Sequence, residues 1–444
     1  MFAGLALFGS AKLTIIIVFF AILLIALAFG LPISFSLILC ASGTGYLLLG
    51  GGNAKPLLYA QQLMRGTDSV TMMALPFFVV AGELMNRGGL TDRIIKFCNI
   101  FVGRIPGGLG YVTILACLLF AALVGSAVAS TAALGAILIP MMAKSGYDRA
   151  KSAALVASAN LVAPIMPPSI PFIIYAISAK VSVKSMFMGG IAPAIYLTIL
   201  MSACWFFISR KDYPPVDGIP KMTLKEIAKT FTSGLWALLL PGIILFGLRG
   251  GMFTATEAGV IAVVYALLVG AFVYKELKFK DFISAMVSSA KMSAVVMFLA
   301  ATAQLAAYTM TVAHIPEMMT EGLSGLVAHP ILLNFTLMII VIIVGLAMDV
   351  VPCILILTPI FLPLITEAGL DPVAFGVLFC LANVLGLTSP PVGPVLNVAC
   401  ATGKVTMEEI IPPTMPYFIA QCGLLLALAL CPALIEVPLH WFGG

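Results

Sequence analysis

Ala163-Pro164-Ile165-Met166-Pro167-Pro168-Ser169-Ile170 lies inside a long apolar run, and its reading decides the fold. A helix that crosses lipid must satisfy its own backbone hydrogen bonds. Three prolines within five residues remove donors and clash with the preceding turn, so regular helix cannot continue here. The crossing is predicted to break. Non-helical backbone at membrane depth is tolerated only where it is buried in protein or lines a cavity, and its freed carbonyls then become ligands. The break is therefore a candidate site. A second apolar run near the other end does the same at Leu387-Thr388-Ser389-Pro390-Pro391-Val392-Gly393-Pro394.

Composition sets the class. Of 444 residues, 62% are hydrophobic and only 9% charged, with a mean hydropathy of +1.16. That is more apolar surface than a soluble core of this length buries, so the chain is expected to be an all-α polytopic membrane protein. The net charge of +5 then reports orientation rather than an acidic partner, and nothing points to nucleic acid. The 9 cysteines sit singly in apolar segments without C-x-x-C or His spacing and read as small apolar residues. The first apolar segment lacks a following A-x-A cleavage pattern and reads as a retained helix.

Spans are expected near 12–30, 31–50 and 70–86, then a long stretch 107–143 interrupted at Gly125-Ser126, then 152–180 and 186–208. The second half offers 230–248, 255–274 and 291–312, then 331–366 interrupted near Gly345 to Asp349, then 372–400 and 411–436. Ser209 to Lys229, with Pro214-Pro215 and several lysines, is the linker. The halves superpose by position. Ser126 stands 41 residues before Pro167 and Asp349 stands 41 before Pro390; the intervals Ser126–Pro140 and Asp349–Pro363 match, as do Pro167–Pro193 and Pro390–Pro416. This is the trace of an internal duplication.

Each interrupted stretch is too long for one straight crossing of a bilayer core of about 30 Å, whereas two half-helices forming a re-entrant hairpin fit. With hairpins returning to the side of entry and both ends outside, only Lys12, Lys55, Arg65, Lys180, Lys184 and Arg249 of the 23 Lys and Arg face outward. The rest gather on loops near 87–104, 144–151, 209–229, 275–291 and 404, as the positive-inside bias requires of an inverted repeat. Lys275 to Lys291 reads as an amphipathic helix lying on the inner surface.

Chemistry follows from this placement. Gly125, Ser126 and Ser130 on the first hairpin would face the break containing Pro164, Pro168 and Ser169; hydroxyls, carbonyls and half-helix ends are hard oxygen donors for a monovalent cation, and half-helix N-termini favour an anion. A sodium site and a carboxylate-binding surface are inferred. Ser and Gly that merely let helices pack closely are the alternative reading. In the second hairpin Asp349 is an acid deep in an apolar segment, expensive and usually functional there, facing Thr388, Ser389, Gly386 and Gly393. Glu83 and Glu257 lie near span ends, and Glu257 behind Thr254 and Thr256 fits N-cap chemistry. His314, His329 and His440 have no ligand spacing.

These stretches carry a family resemblance. Pro76-Phe77-Phe78-Val79-Val80-Ala81-Gly82-Glu83-Leu84-Met85, Gly125-Ser126-Ala127-Val128-Ala129 and Ile165-Met166-Pro167-Pro168-Ser169-Ile170 resemble the large membrane subunit of the tripartite ATP-independent periplasmic (TRAP) transporters, the DctM-like family. So do Gly251-Met252-Phe253-Thr254-Ala255-Thr256-Glu257-Ala258, Met348-Asp349, Leu370-Asp371-Pro372-Val373-Ala374-Phe375-Gly376-Val377 and Thr388-Ser389-Pro390-Pro391-Val392-Gly393. The resemblance implies a permease of the bacterial inner membrane working with a separate small four-helix subunit and a soluble periplasmic binding protein. It implies sodium-driven uptake of an organic acid by an elevator movement, with 107–180 and 331–400 moving against a scaffold formed by 1–106, 181–208, 230–330 and 401–444. About two sodium ions are implied, one at Gly125, Ser126, Pro164 and Ser169, one at Gly345, Asp349, Thr388, Pro390 and Gly393; Ser126, Ser130, Ser169 and Pro168 would meet the substrate. Ser130 departs from the Asp that many relatives resemble each other in carrying. Sugar acids, sialic acid among them, and C4-dicarboxylates are the candidate substrates. No G-x-x-x-x-G-K-[ST] suggests an ATP-driven pump, and no Ser/His or paired Asp arrangement at membrane depth suggests a protease or other enzyme. A stand-alone or proton-coupled carrier of the same hairpin group remains the alternative.

Overall fold

The computed structural model describes residues 11–48, 56–212, 223–322, 324–346, 348–390 and 393–443. Lys55, Pro214-Pro215, Lys221, Ala347, Pro391 and Val392 lie outside the described residues. Among the described residues every regular element is helical. The first half runs α1 (Ala11–Ala28), α2 (Ile33–Leu48), α3 (Pro56–Arg65), α4 (Ala74–Arg87), α5 (Leu90–Val102), α6 (Gly108–Val124), α7 (Ala127–Lys144), α8 (Arg149–Ala159), α9 (Ile170–Ala179) and α10 (Val183–Asp212). The second runs α11 (Leu224–Arg249), α12 (Ala255–Leu268), α13 (Phe279–Val312), α14 (Ile315–Gly322), α15 (Ser324–Val327), α16 (Pro330–Gly345), α17 (Val350–Glu367), α18 (Pro372–Gly386), α19 (Pro394–Gly403), α20 (Met407–Leu430) and α21 (Ala433–Gly443).

One offset of 223 residues relates the halves. It carries α7 at 127–144 onto α17 at 350–367 without remainder, α8 at 149 onto α18 at 372, α1 onto the second part of α11, and α2 onto α12 to within one residue at its start. It also pairs α6 with α16, α9 with α19 and α10 with α20 to within one residue at their starts. Each half has five crossings if its hairpin returns to the side of entry, and an odd number turns the second half upside down.

Local chemistry fixes the boundaries. Asp148 caps α8 by accepting from the Lys151 N–H at 2.8 Å, and Asp371 caps α18 through the N–H groups of Val373 and Ala374. Thr223 with Glu226, Thr254 with Glu257 and Thr406 with Glu409 form reciprocal capping boxes on α11, α12 and α20. The N-cap reading of Glu257 therefore holds.

Two sequence expectations are corrected. Lys275 to Lys291 is no separate surface helix: 279–291 opens α13, which runs unbroken for 34 residues because it contains neither Pro nor Gly. At 1.5 Å per residue it is about 51 Å long, well beyond the hydrocarbon core. The presumed loop 87–104 contains α5, started by Gly89 in the left-handed conformation, and α14 and α15 occupy the same place in the second half. α5 is pinned by Arg93, which pairs with Glu276 at 2.8 Å, donates to the Gly89 carbonyl and stacks 3.9 Å over the Tyr274 ring.

The hairpins and broken crossings form the centre. Along α17, 67% of the residues are buried, against 28% of an 18-residue apolar stretch of α13. Each hairpin's second arm packs on the other half's second half-helix, α7 on α19 and α17 on α9. α2, α4, α12 and α13 pack on one another outside this centre.

Candidate functional site

The tip of the first hairpin rests on the first break. Gly125 ends α6 at φ +65°, and a Cβ placed there would lie 3.3 Å from the Ile170 nitrogen and 3.3 Å from the Pro168 oxygen. Glycine suits both that turn and that close approach, where a side chain would be strained and tight. Ser126 then starts α7, its hydroxyl accepting from the Ala129 N–H at 3.4 Å. In the break Ser169 starts α9: its hydroxyl donates to the Pro164 carbonyl and accepts from the Phe172 N–H.

The second site repeats this with different residues. A Cβ at Gly386 would lie 2.6 Å from the Gly345 carbonyl carbon, so hairpin arm and broken crossing touch through backbone. Asp349 starts α17 and accepts from the Val350 N–H at 2.8 Å. Thr388 and Ser389 turn their hydroxyls back to the Leu385 carbonyl at 3.2 and 3.0 Å. Beyond Pro390, Gly393 bonds back to the Ser389 carbonyl and starts α19. Both hairpin tips thus meet the helix break, which puts them inside the membrane rather than across it.

Between these tips and the outer helices lies a cavity of about 480 Å³. Three helix N-termini border it: Ser126 and Ala127 of α7, Ile170 and Pro171 of α9, and Asp349 to Pro352 of α17. Each carries roughly half a positive charge, which favours an anion, although Ser126, Ser169 and Asp349 each already accept one N–H and Pro171 and Pro352 have none. The Asp349 carboxylate offsets one of the three. The facing wall comes from α2, α4 and α13; it is largely apolar, with Ser34, Glu83, Asn86 and Ser288 as its polar groups. Glu83, Asn86 and Ser288 lie beside Arg87, and Ser288 within a turn of Lys291, so the polar end of the cavity lies toward the basic residues.

Of the residues expected from sequence, Gly125, Ser126, Pro164 and Asp349 line the cavity. Ser130 does not: its hydroxyl bonds back to the Ser126 carbonyl and the side chain is buried. Ser169 and Thr388 are likewise fully buried behind the surface. Pro168, Pro390 and Gly393 shape the breaks and Gly345 ends the hairpin arm α16; none of the four lines the cavity. Asp349 faces the cavity rather than an apolar interior. Glu83, read from sequence as a weak case, lines the cavity and pairs with Arg87 at 3.2 Å; Arg87 also reaches the Ser288 hydroxyl at 3.4 Å. Asn160 and Asn383 were missed. Each stands seven residues before a proline of its break, a spacing visible in the sequence.

Repeated halves with interlocked hairpin tips around a helix-terminus cavity define a multi-pass membrane permease, not an enzyme. The family profile "Tripartite ATP-independent periplasmic transporter, DctM component" matches residues 20–434, and the chain belongs to that family. It is 43% identical to the 2,3-diketo-L-gulonate TRAP transporter large permease protein of Escherichia coli, over 96% of this chain and 99% of that one. It is 34% identical to the C4-dicarboxylate TRAP transporter large permease protein of Pseudomonas aeruginosa (86% and 90% covered). Identity to the sialic acid TRAP transporter large permease protein of Vibrio cholerae is 31% (88% and 91% covered). In fold it matches the solved YdaH transporter of Alcanivorax borkumensis with a TM-score of 0.66 at 16% identity, covering 87% of this chain and 91% of that one.

Proposed function

We propose that this permease carries an organic acid across the bacterial inner membrane on an inward sodium gradient. The acid arrives on a periplasmic binding protein, and a separate four-helix membrane subunit completes the transporter. The observation that carries this reading is the convergence of three helix N-termini on one cavity. Such a site holds a carboxylate without a fixed cationic side chain. A sugar acid is favoured, and the higher identity to the 2,3-diketo-L-gulonate permease than to the sialic acid one ranks the former first. Residues 107–180 and 331–400 form the moving part; the apolar wall of α2, α4 and α13 is the surface it slides on.

Sodium would sit where break carbonyls and hydroxyls gather, at Ser126 with Pro164 and Ser169, and at Thr388 with the second hairpin tip. Reconstitution with both partners in liposomes, scanning acids under an imposed sodium gradient, tests the whole reading. Ser126→Ala, Ser169→Ala and Thr388→Val should each raise the sodium concentration for half-maximal uptake while membrane insertion stays normal. Unchanged sodium dependence in all three removes the sites as placed. One observation favours proton coupling as a second reading: Asp349 presents a carboxylate to the cavity. Uptake driven by a pH gradient without sodium, and lost in Asp349→Asn, would establish it.

A further inference from the structure

Asn160 and Asn383 hold the same place in the two halves, 223 residues apart like the helices around them. Both side chains are 0% exposed. Asn160 donates its amide to the Val156 carbonyl at 2.9 Å, and its Oδ1 has no hydrogen-bond partner. Asn383 Oδ1 likewise has none, while its amide N–H side lies within hydrogen-bonding reach of the Cys353 thiol, a weak partner. A buried amide oxygen left unpaired is costly, and here it recurs at equivalent positions of the duplication. Each also stands at the end of the first half-helix of a break, where backbone carbonyls gather partial negative charge. Each abuts the first arm of its own half's hairpin. The turn Asn160–Val162 packs on α6, and a Cβ at Gly345 would lie 3.2 Å from the Asn383 Nδ2. Neither residue lines the cavity, so a substrate anion is not the occupant.

We propose that Asn160 and Asn383 supply one amide oxygen each to a monovalent cation, one cation per half, at the junction of hairpin arm and half-helix end. The inference deepens the sodium reading and rests on it. Amide oxygen is a hard donor of the kind such ions take, and unlike a carboxylate it adds no charge to a site that must load and empty. A core amide that only braces packing would have no ion dependence.

The test is thermal unfolding of the purified full-length chain, co-expressed with its small membrane subunit, titrated with sodium chloride against choline chloride at constant ionic strength. In Asn160→Leu and Asn383→Leu the sodium midpoint of stabilisation should rise about tenfold, the loss of one ligand of about 1.4 kcal/mol. The isosteric Asn160→Asp and Asn383→Asp keep the oxygen and should lower the midpoint. Wild-type protein that sodium does not stabilise over choline overturns the sodium reading and this inference together. Wild-type stabilisation with unmoved midpoints in both Leu variants overturns this inference alone. Should the Leu variants fail to fold, Asp variants whose midpoints stay at the wild-type value overturn it equally.

Discussion

Gly125 joins sequence to chemistry at a single residue. Its positive φ strains any side chain there, and the 3.3 Å approach of the facing backbone would have to give by a few tenths of an ångström to admit a Cβ. Gly125→Ala should cost about 1–2 kcal/mol in the left-handed turn alone and push hairpin tip and break apart. The expected result is tenfold or slower uptake in proteoliposomes, about 1.4 kcal/mol on the barrier, with normal insertion. Wild-type uptake would show that the tip is free to shift. Ser126, Pro164 and Asp349 were legible because glycine, proline and a buried-segment acid announce themselves in covalent terms. Ser130 was misread. The sequence places it one helical turn past the tip, but whether a hydroxyl at that position faces cavity or helix depends on the rotation of α7, which its neighbours along the chain do not encode.

Among elements, the least legible were those held by contacts far apart in sequence. The alternation of Lys275 to Lys291 is equally compatible with a helix lying on a membrane and with the projecting end of one that crosses it. Only the missing breaker between Phe279 and Val312 decides, and it is a negative signal. α5 is fixed by such a distant contact. Arg93 stacks on Tyr274 and pairs with a half-exposed Glu276, so Arg93→Ala should lower stability by about 1–2 kcal/mol after discounting solvent screening. The expected reading is a lower unfolding temperature in detergent with an unchanged sodium midpoint. A moved sodium midpoint would show that α5 communicates with the breaks. The facing wall of the cavity escaped the sequence for the same reason: Ser34, Glu83, Asn86 and Ser288 come from three helices and share no motif.

For the whole molecule, the distribution of Lys and Arg gives an expectation of orientation, whereas the duplication was readable from matched proline intervals. The side to which the cavity opens was not, since it depends on how the halves are displaced. With the basic face inward, Asn86 stands at a cytoplasmic mouth. In a background with the 9 native cysteines replaced, Asn86→Cys should react with a membrane-impermeant thiol reagent in inside-out vesicles and stay unlabelled in right-side-out ones. The reverse pattern would invert the topology.

The duplication is imperfect at α3 and α4. α3 and the segment ending in α4 are bent by 58° across Gly66-Thr67-Asp68-Ser69, while the matching stretch Ser289-Ala290-Lys291-Met292 runs straight through α13. In a carrier made of upside-down twins, the inward and outward poses arise when each twin takes on the other's shape. A kink written into one twin's covalent sequence cannot be handed across. Under the movement proposed above, the two poses would then be unequal in energy, and an unloaded carrier would have a preferred side at which to wait.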